Sequence, residues 1–308
     1  MSELDLFDSV RPPFKFTGVK SVAFELPAKM DALKKLCKTF LNEPFNRAEE
    51  AQGSFTPQDN YVLLSFGRFP SSAGAEAGST KISYREVSLM FPVQRIGPPP
   101  QAVSFFAPIL FLDGGTGSNA EDAGNADVQA IVPIAIGREL YGLQKTRGEI
   151  DFDFDFDFGS LPGPAVELRG VQSGSRANNG MLSLNDFVRI KTAPPPQGGF
   201  QGPPVRGTGI GVELLGVRQL RDPTNPPLTP MLHRDVVRTR LDIDGQNNQN
   251  PSPAISSFVV SFNQARHGEL LEQMGLTEPK YTVDGTKVAV FKNVNCTFGD
   301  PTKTHLVS

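Results

Sequence analysis

Between residues 61 and 137 the chain carries four apolar runs of strand length: YVLLSFGRF at 61 to 69, KISYREVSLMFPV at 81 to 93, VSFFAPILFL at 103 to 112 and VQAIVPIAIG at 128 to 137. Each is rich in β-branched or aromatic residues and bounded by turn formers, which predicts a strand. The connections agree. Thirty glycines and 27 prolines make up about 19% of the 308 residues against a usual ~12%, which promises many turns and argues against a helical bundle. With 38% hydrophobic residues and 23 phenylalanines, a chain of this length can bury a sizeable core.

Helical spacing occurs in two places. In AKMDALKKLCKTFL, residues 28 to 41, Met30, Leu33, Leu36, Cys37, Phe40 and Leu41 fall on one face and the lysines elsewhere, which predicts an amphipathic surface helix. NQARHGELLEQMGL predicts a second, followed by KYTVDGTKVAVFKNVNCTF, where Asp284-Gly285 between alternating runs predicts a hairpin. Residues 114 to 127 and 192 to 207 are predicted surface loops, being rich in turn formers and without periodicity. The glycines of GTGIGVELLG at 207 to 216 lack the strand–turn–helix context of a dinucleotide site and are expected to form turns, as is Gly78-Ser79-Thr80-Lys81.

Charge and motif content exclude several functions. A net charge of -3 gives no basic excess for nucleic acid or an anionic membrane, and no apolar run approaches the ~20 residues of a membrane span. The acidic start MSELDLFD lacks the basic and apolar regions of a signal peptide, so a soluble cytoplasmic protein is expected. Cys37 and Cys296 have no metal or redox spacing and read as small buried residues. The three histidines are scattered, and no Gly-x-Ser-x-Gly elbow occurs. DFDFDFDF at 151 to 158 puts four aspartates on one strand face at ~7 Å spacing. Because a flat row supplies too few converging oxygens for a cation, it reads as a solvated face paired with basic rows such as Arg189 and Lys191, or Arg238 and Arg240. No cofactor or metal is expected.

One segment carries chemistry. AIVPIAIGRELYGLQKTRGEI, residues 130 to 150, is an apolar run ending in Gly137-Arg138-Glu139, with Lys145 eight residues beyond the glycine among Leu140, Tyr141 and Leu143. Considered alone, a lysine is most often a solvated surface charge. GRELYGLQK, however, resembles the lysine motif of the acetoacetate decarboxylase family: Gly-Arg-Glu, a short apolar stretch, then Pro-Lys-Lys. Other pieces follow in the family's order. PPFKF at 12 to 16 looks like its N-terminal Pro-aromatic-Lys-Phe, and MDALKKL at 30 to 36 is similar to its early helix. Tyr84-Arg85-Glu86 lies where a strand carries its active-site glutamate, and FFAPILFLD at 105 to 113 resembles the strand before the lysine. The resemblance covers roughly residues 11 to 150.

The resemblance implies a mainly β (α+β) single domain, a closed antiparallel β-barrel with peripheral helices, spanning 1 to 308. It implies Lys145 as a Schiff-base nucleophile and Glu86 as its acid–base partner, in a pocket lined by Arg138, Tyr84, Met90, Phe91, Phe105 and Phe106. A small keto acid as substrate and a homo-oligomer are implied too. Three positions depart: Val19 stands where the decarboxylase has an arginine, Gln144 replaces the proline and Thr146 the second lysine. A second pocket acid has its place near Ser65.

The chemistry sets its own requirement. Lysine attacks a ketone only as the neutral amine, and at an ordinary pKa of ~10.4 about one in two or three thousand is neutral at pH 7. With Thr146 beside it, burial behind an Ile131–Ile136 strand must depress the pKa, with help from Arg147. An ionised Glu86 opposes that, so the expectation is that Glu86 stands to one side of the resting amine. The protonated imine is an electron sink. A β-keto acid can lose carbon dioxide into it, and a pyruvate imine can lose an α-proton and condense with an aldehyde, giving an aldolase-dehydratase. A binding protein that keeps the pocket without turnover is the alternative of another class.

Overall fold

The computed structural model describes residues 13–42, 55–69, 72–73, 84–96, 104–114, 134, 137, 141–143, 145–150, 182–183, 187–193, 210–220, 233–244, 257–299 and 302–303. In chain order these form β1 (Phe14–Pro27), α1 (Met30–Leu36), β2 (Phe55–Pro57), β3 (Tyr61–Phe69), β4 (Ser72–Ala73), β5 (Tyr84–Arg95) and β6 (Ser104–Gly114). Then follow β7 (Lys145–Glu149), β8 (Leu182–Ser183), β9 (Val188–Ala193), β10 (Ile210–Leu220), β11 (His233–Asp244), β12 (Ser257–Phe262), α2 (Gln264–Gln273), β13 (Lys280–Val283), β14 (Val288–Phe298) and β15 (Thr302–Lys303). No described helix is long and apolar enough to cross a membrane.

Seven strands close a ring in the order β5-β3-β1-β14-β11-β10-β6 and back to β5. All contacts in the ring are antiparallel except β10 with β6, which run parallel. The expected antiparallel barrel is thus present, with one parallel seam. β7 extends β6 in parallel, pairing Lys145 with Leu110, while β9, β12 and β13 make a separate three-stranded antiparallel sheet.

Two cores result. The outer one lies between the barrel wall, the small sheet and the helices, where Phe24 meets Phe258 edge to face at 5.4 Å and Leu33 and Leu271 are fully buried. The inner one fills one end of the barrel with Phe14, Phe16, Val19, Leu112, Cys296 and Phe298. In a strand one face takes alternate residues, so a switch of parity needs an extra residue. β1 supplies it: its register against β14 shifts between Phe16 and Val19, with Gly18 at φ 69. Phe14 and Phe16 face inward before the bulge and Val19 after it, while Val22, Phe24 and Leu26 go to the outer core. β6 bulges too. It places Ala107 and Pro108 opposite the single residue Met90, at a position where the proline's missing N–H is tolerated.

Several expectations change. The strand at 128 to 137 is replaced, where described, by helical backbone at Ile134 and Gly137, so no described strand covers Lys145 from this segment. Asp284-Gly285 does not make a hairpin: β13 pairs with β12 and β14 with β1, and a 3-10 turn at Gly285–Lys287 carries the chain from the small sheet to the barrel. Gly211 and Gly216 lie inside β10, not in turns. A Cβ at Gly216 would stand 2.8 Å from the carbonyl carbon of Gly142, so glycine lets that backbone close on the strand. Gly114 ends β6, and Thr192 and Ala193 end β9. The rest of both predicted loops, Gly78 to Lys81 and the DFDFDFDF segment lie outside the described residues. Cys37 and Cys296 are buried and unbridged, and burial pushes both thiols up to about 12.

Candidate active site

Lys145 opens β7 and faces into the barrel, opposite the inner-core residue Leu110. Its side chain is nearly wholly buried, with 6% of its surface exposed. Helical backbone at Gly137 lies directly against the lysine stem, since a Cβ there would fall 2.6 Å from Cε and 3.0 Å from Cγ. A methyl group there would displace the stem. The backbone N–H of Leu143 donates to the Gly137 carbonyl at 2.9 Å, and that of Lys145 to the Leu143 carbonyl at 2.7 Å, which ties down the turn that leads into the lysine.

Glu86 and Tyr84 stand two apart on β5 and so share its inner face. The Lys145 Nζ lies 3.5 Å from Glu86 Oε2 and 4.9 Å from the centre of the Tyr84 ring. Phe69 stacks on the Tyr84 ring at 4.6 Å and Phe16 meets it edge to face at 5.6 Å, so the ring is fixed by packing. Glu86 therefore does not stand to one side of the amine; it is the amine's charged neighbour, because adjacent strands bring both into one dry interior.

Burial lowers the Lys145 pKa below the ordinary lysine value, against the opposing pull of Glu86. Burial likewise raises the Glu86 carboxyl, against the opposing pull of Lys145. Both groups move toward neutrality, the state a nucleophilic amine and a proton-carrying carboxyl require. Burial holds the Tyr84 hydroxyl protonated, its pKa well above the ordinary value, with the Glu86 charge acting in the same direction. Glu86 keeps 16% side-chain exposure against 6% for Lys145, so the carboxylate meets a small molecule first.

The face of β5 that carries Glu86 continues through Ser88 to Met90, and β3 sets Gly67, Ser65 and Leu63 directly opposite them. β1 adds Ser21 beside Gly67 and Ala23 beside Ser65. Apart from Gly67 and Ser88, these inward residues are half-buried, in contrast with the aromatic end of the barrel. Aromatic rings thus plug the barrel on one side of Lys145, and half-buried residues prevail among those described on the other. Sequence reading reached this row only at Ser65, although stepping by two from Glu86 finds Ser88.

The same alternation sorts the aromatic candidates. Met90 packs against the inner core, and Phe105, opposite Leu214, shares that face. Phe91 and Phe106 are the next residues along their strands and face the outer core, with their rings 5.8 Å apart. Consecutive residues cannot both line one pocket, so these two are corrected to plain core. Val19 is buried in the inner core at 1% exposure. Arg138 and Gln144 lie outside the described residues, as do the side chains of Thr146 and Arg147.

No family model and no curated protein matches the sequence. Solved structures do match over nearly the whole chain. A solved acetoacetate decarboxylase aligns with a TM-score of 0.56 at 12% identity over 98% of each chain. The acetoacetate decarboxylase from Legionella pneumophila aligns at 0.53 and 12% identity, covering 96% of this chain and 89% of that one. The enduracididine biosynthesis enzyme MppR, complexed with the condensation product of pyruvate and imidazole 4-carboxaldehyde, aligns at 0.50 and 12% identity over 97% and 92%. With its seven-stranded ring, small sheet and flanking helices, this chain has the acetoacetate decarboxylase fold.

Proposed function

We propose that this chain is a Schiff-base lyase acting on a small keto acid, with Lys145 as nucleophile and Glu86 as the proton carrier. The observation that carries the reading is the buried Lys145 amine, 3.5 Å from Glu86 and over the Tyr84 ring, at the margin of the barrel's aromatic plug. The neutral amine attacks the carbonyl carbon, and loss of one water gives the imine. Protonated at nitrogen, the imine is a cation held over the Tyr84 face, an arrangement worth about 0.5–2 kcal/mol according to how dry it is. For a β-keto acid, the bond to the carboxylate breaks, carbon dioxide leaves and its electron pair forms the enamine. A proton from Glu86 to the enamine carbon regenerates the imine, and water then releases the ketone and the amine.

Where the substrate is pyruvate, its imine instead loses an α-proton to Glu86, the resulting enamine attacks an aldehyde, and loss of water followed by hydrolysis of the imine gives an unsaturated keto acid and the free amine. A specific observation favours keeping this second reaction. Val19, in the place of the family's arginine, is an apolar inner-core residue and offers no charge-assisted bond to an acetoacetate carboxylate. Slow or absent acetone production with imine formation preserved is therefore expected. Incubation with acetoacetate or with pyruvate plus borohydride should add one substrate-derived mass to the wild type and none to Lys145→Ala. Labelling that survives in the variant would move the nucleophile elsewhere. Acetone release near the ~10 per second typical of enzymes would make plain decarboxylation the reaction.

A further inference from the structure

The substrate needs a second point of recognition besides the imine, and the barrel wall offers one that the lysine chemistry does not use. Ser88 lies two residues beyond Glu86 on the same face of β5, and Ser65 of β3 is directly opposite it. Directly opposed residues in a sheet stand about 4.5–5.5 Å apart, and same-face neighbours along a strand ~7 Å apart. The two serines therefore stand side by side, one same-face step of ~7 Å from the residue whose carboxylate touches the amine. Ser88 is 2% exposed and Ser65 half-buried, so one of the two hydroxyls is dry and the other is partly open to water. Ser65 pairs in turn with Ala23, a small side chain that leaves room above both hydroxyls.

We infer that Ser65 and Ser88 form the subsite that receives the substrate's carboxylate, and that they set selectivity for keto acids over simple ketones. The inference rests on the Schiff-base reading of Lys145. Two hydroxyls facing one another can each donate to one carboxylate oxygen, and the row lies away from Glu86, where a second anion is least repelled. It fits keto acids whose carboxylate stands two to four atoms from the carbonyl, such as acetoacetate and 4-oxopentanoate.

The test is borohydride trapping across a concentration series of acetoacetate, 4-oxopentanoate and acetone, read by intact mass. The measured quantity is the ratio of half-saturating acetone to half-saturating keto acid. In Ser88→Ala and in Ser65→Ala this ratio should fall about ten-fold, the loss expected for a hydrogen bond to a charged group. Ser65→Thr, which retains a hydroxyl, should restore most of it. A ratio that stays at the wild-type value in both alanine variants overturns the subsite, because a packing defect alone moves both probes together. If the wild type forms no adduct with any of the three, the Schiff-base reading itself falls and the subsite with it. An adduct with an unchanged ratio sinks the subsite alone.

Discussion

The outer and inner cores are built from the same strands and differ in what they contain. Val22, Phe24 and Leu26 of β1 enter an outer cluster dominated by large apolar side chains. A few residues away the inner face carries Lys145, Glu86 and Ser88 at the margin of an aromatic plug. Packing explains the first completely, at about 1.5–3 kcal/mol for each large side chain taken out of water. It does not explain the second: a buried ion pair is often no more stable than apolar residues of the same volume. The difference teaches where stability ends and chemistry begins in this barrel.

The comparison breaks most visibly at the pair itself. Glu86→Gln should slow turnover by roughly 10² to 10⁴ while borohydride trapping persists. Because the Glu86 charge raises the Lys145 pKa, removing it should let burial lower that pKa further. The pH at which trapping reaches half its alkaline plateau should then move to lower values. A profile that stays put or moves to higher pH would separate Glu86 from the amine.

In the outer core, Phe258→Ala removes the ring that meets Phe24 and should cost about 3–5 kcal/mol in urea unfolding, with the trapping pH profile of the folded fraction unchanged. A shifted profile would mean that the two cores are not separable. Gly137→Ala forces a methyl group onto the lysine stem. Imine formation should slow about 10²-fold, the scale of an ångström misplacement, in a protein that still melts cooperatively.

The smallest effect sharpens the contrast. Replacing the pair by Lys145→Met with Glu86→Gln should abolish trapping and leave stability unchanged or raised by up to about 4 kcal/mol. The sign follows from the two pKa directions. A lowered Lys145 pKa costs stability in full below the folded value, and that cost fades as pH rises toward the unfolded ~10.4. A raised Glu86 pKa costs nothing below the unfolded ~4.3 and its full amount above the folded value. The gain should therefore peak near neutral pH and shrink toward both extremes; a variant less stable than wild type at pH 7 would show that the pair supports the fold.

How much of this was legible in the sequence follows the range of the interactions. β3, β5, β6 and both helices were readable because alternation and helical spacing are local signals. The run at 128 to 137 was not, since a short apolar run cannot tell a buried strand from a buried helical turn. Asp284-Gly285 marked a change of direction, but which sheet receives the next strand depends on contacts with β1, hundreds of residues earlier. Lys145 and Glu86 were found through a motif, whereas their contact was misjudged: the charge argument that kept them apart ignored that a barrel interior offers either group few other partners. Phe91 and Phe106 were misplaced because the strand period was applied to find the strand and not to sort its faces.

The glycine against the lysine stem has a consequence for timing. A free lysine side chain gives up as much as ~2 kcal/mol of rotamer freedom when it is fixed in one conformation. Here Gly137 on one side and the Tyr84 ring at the far end confine the chain of methylenes before any ketone arrives. That entropy is lost once, when the protein folds, so in the proposed reaction the amine is already aimed when each substrate enters.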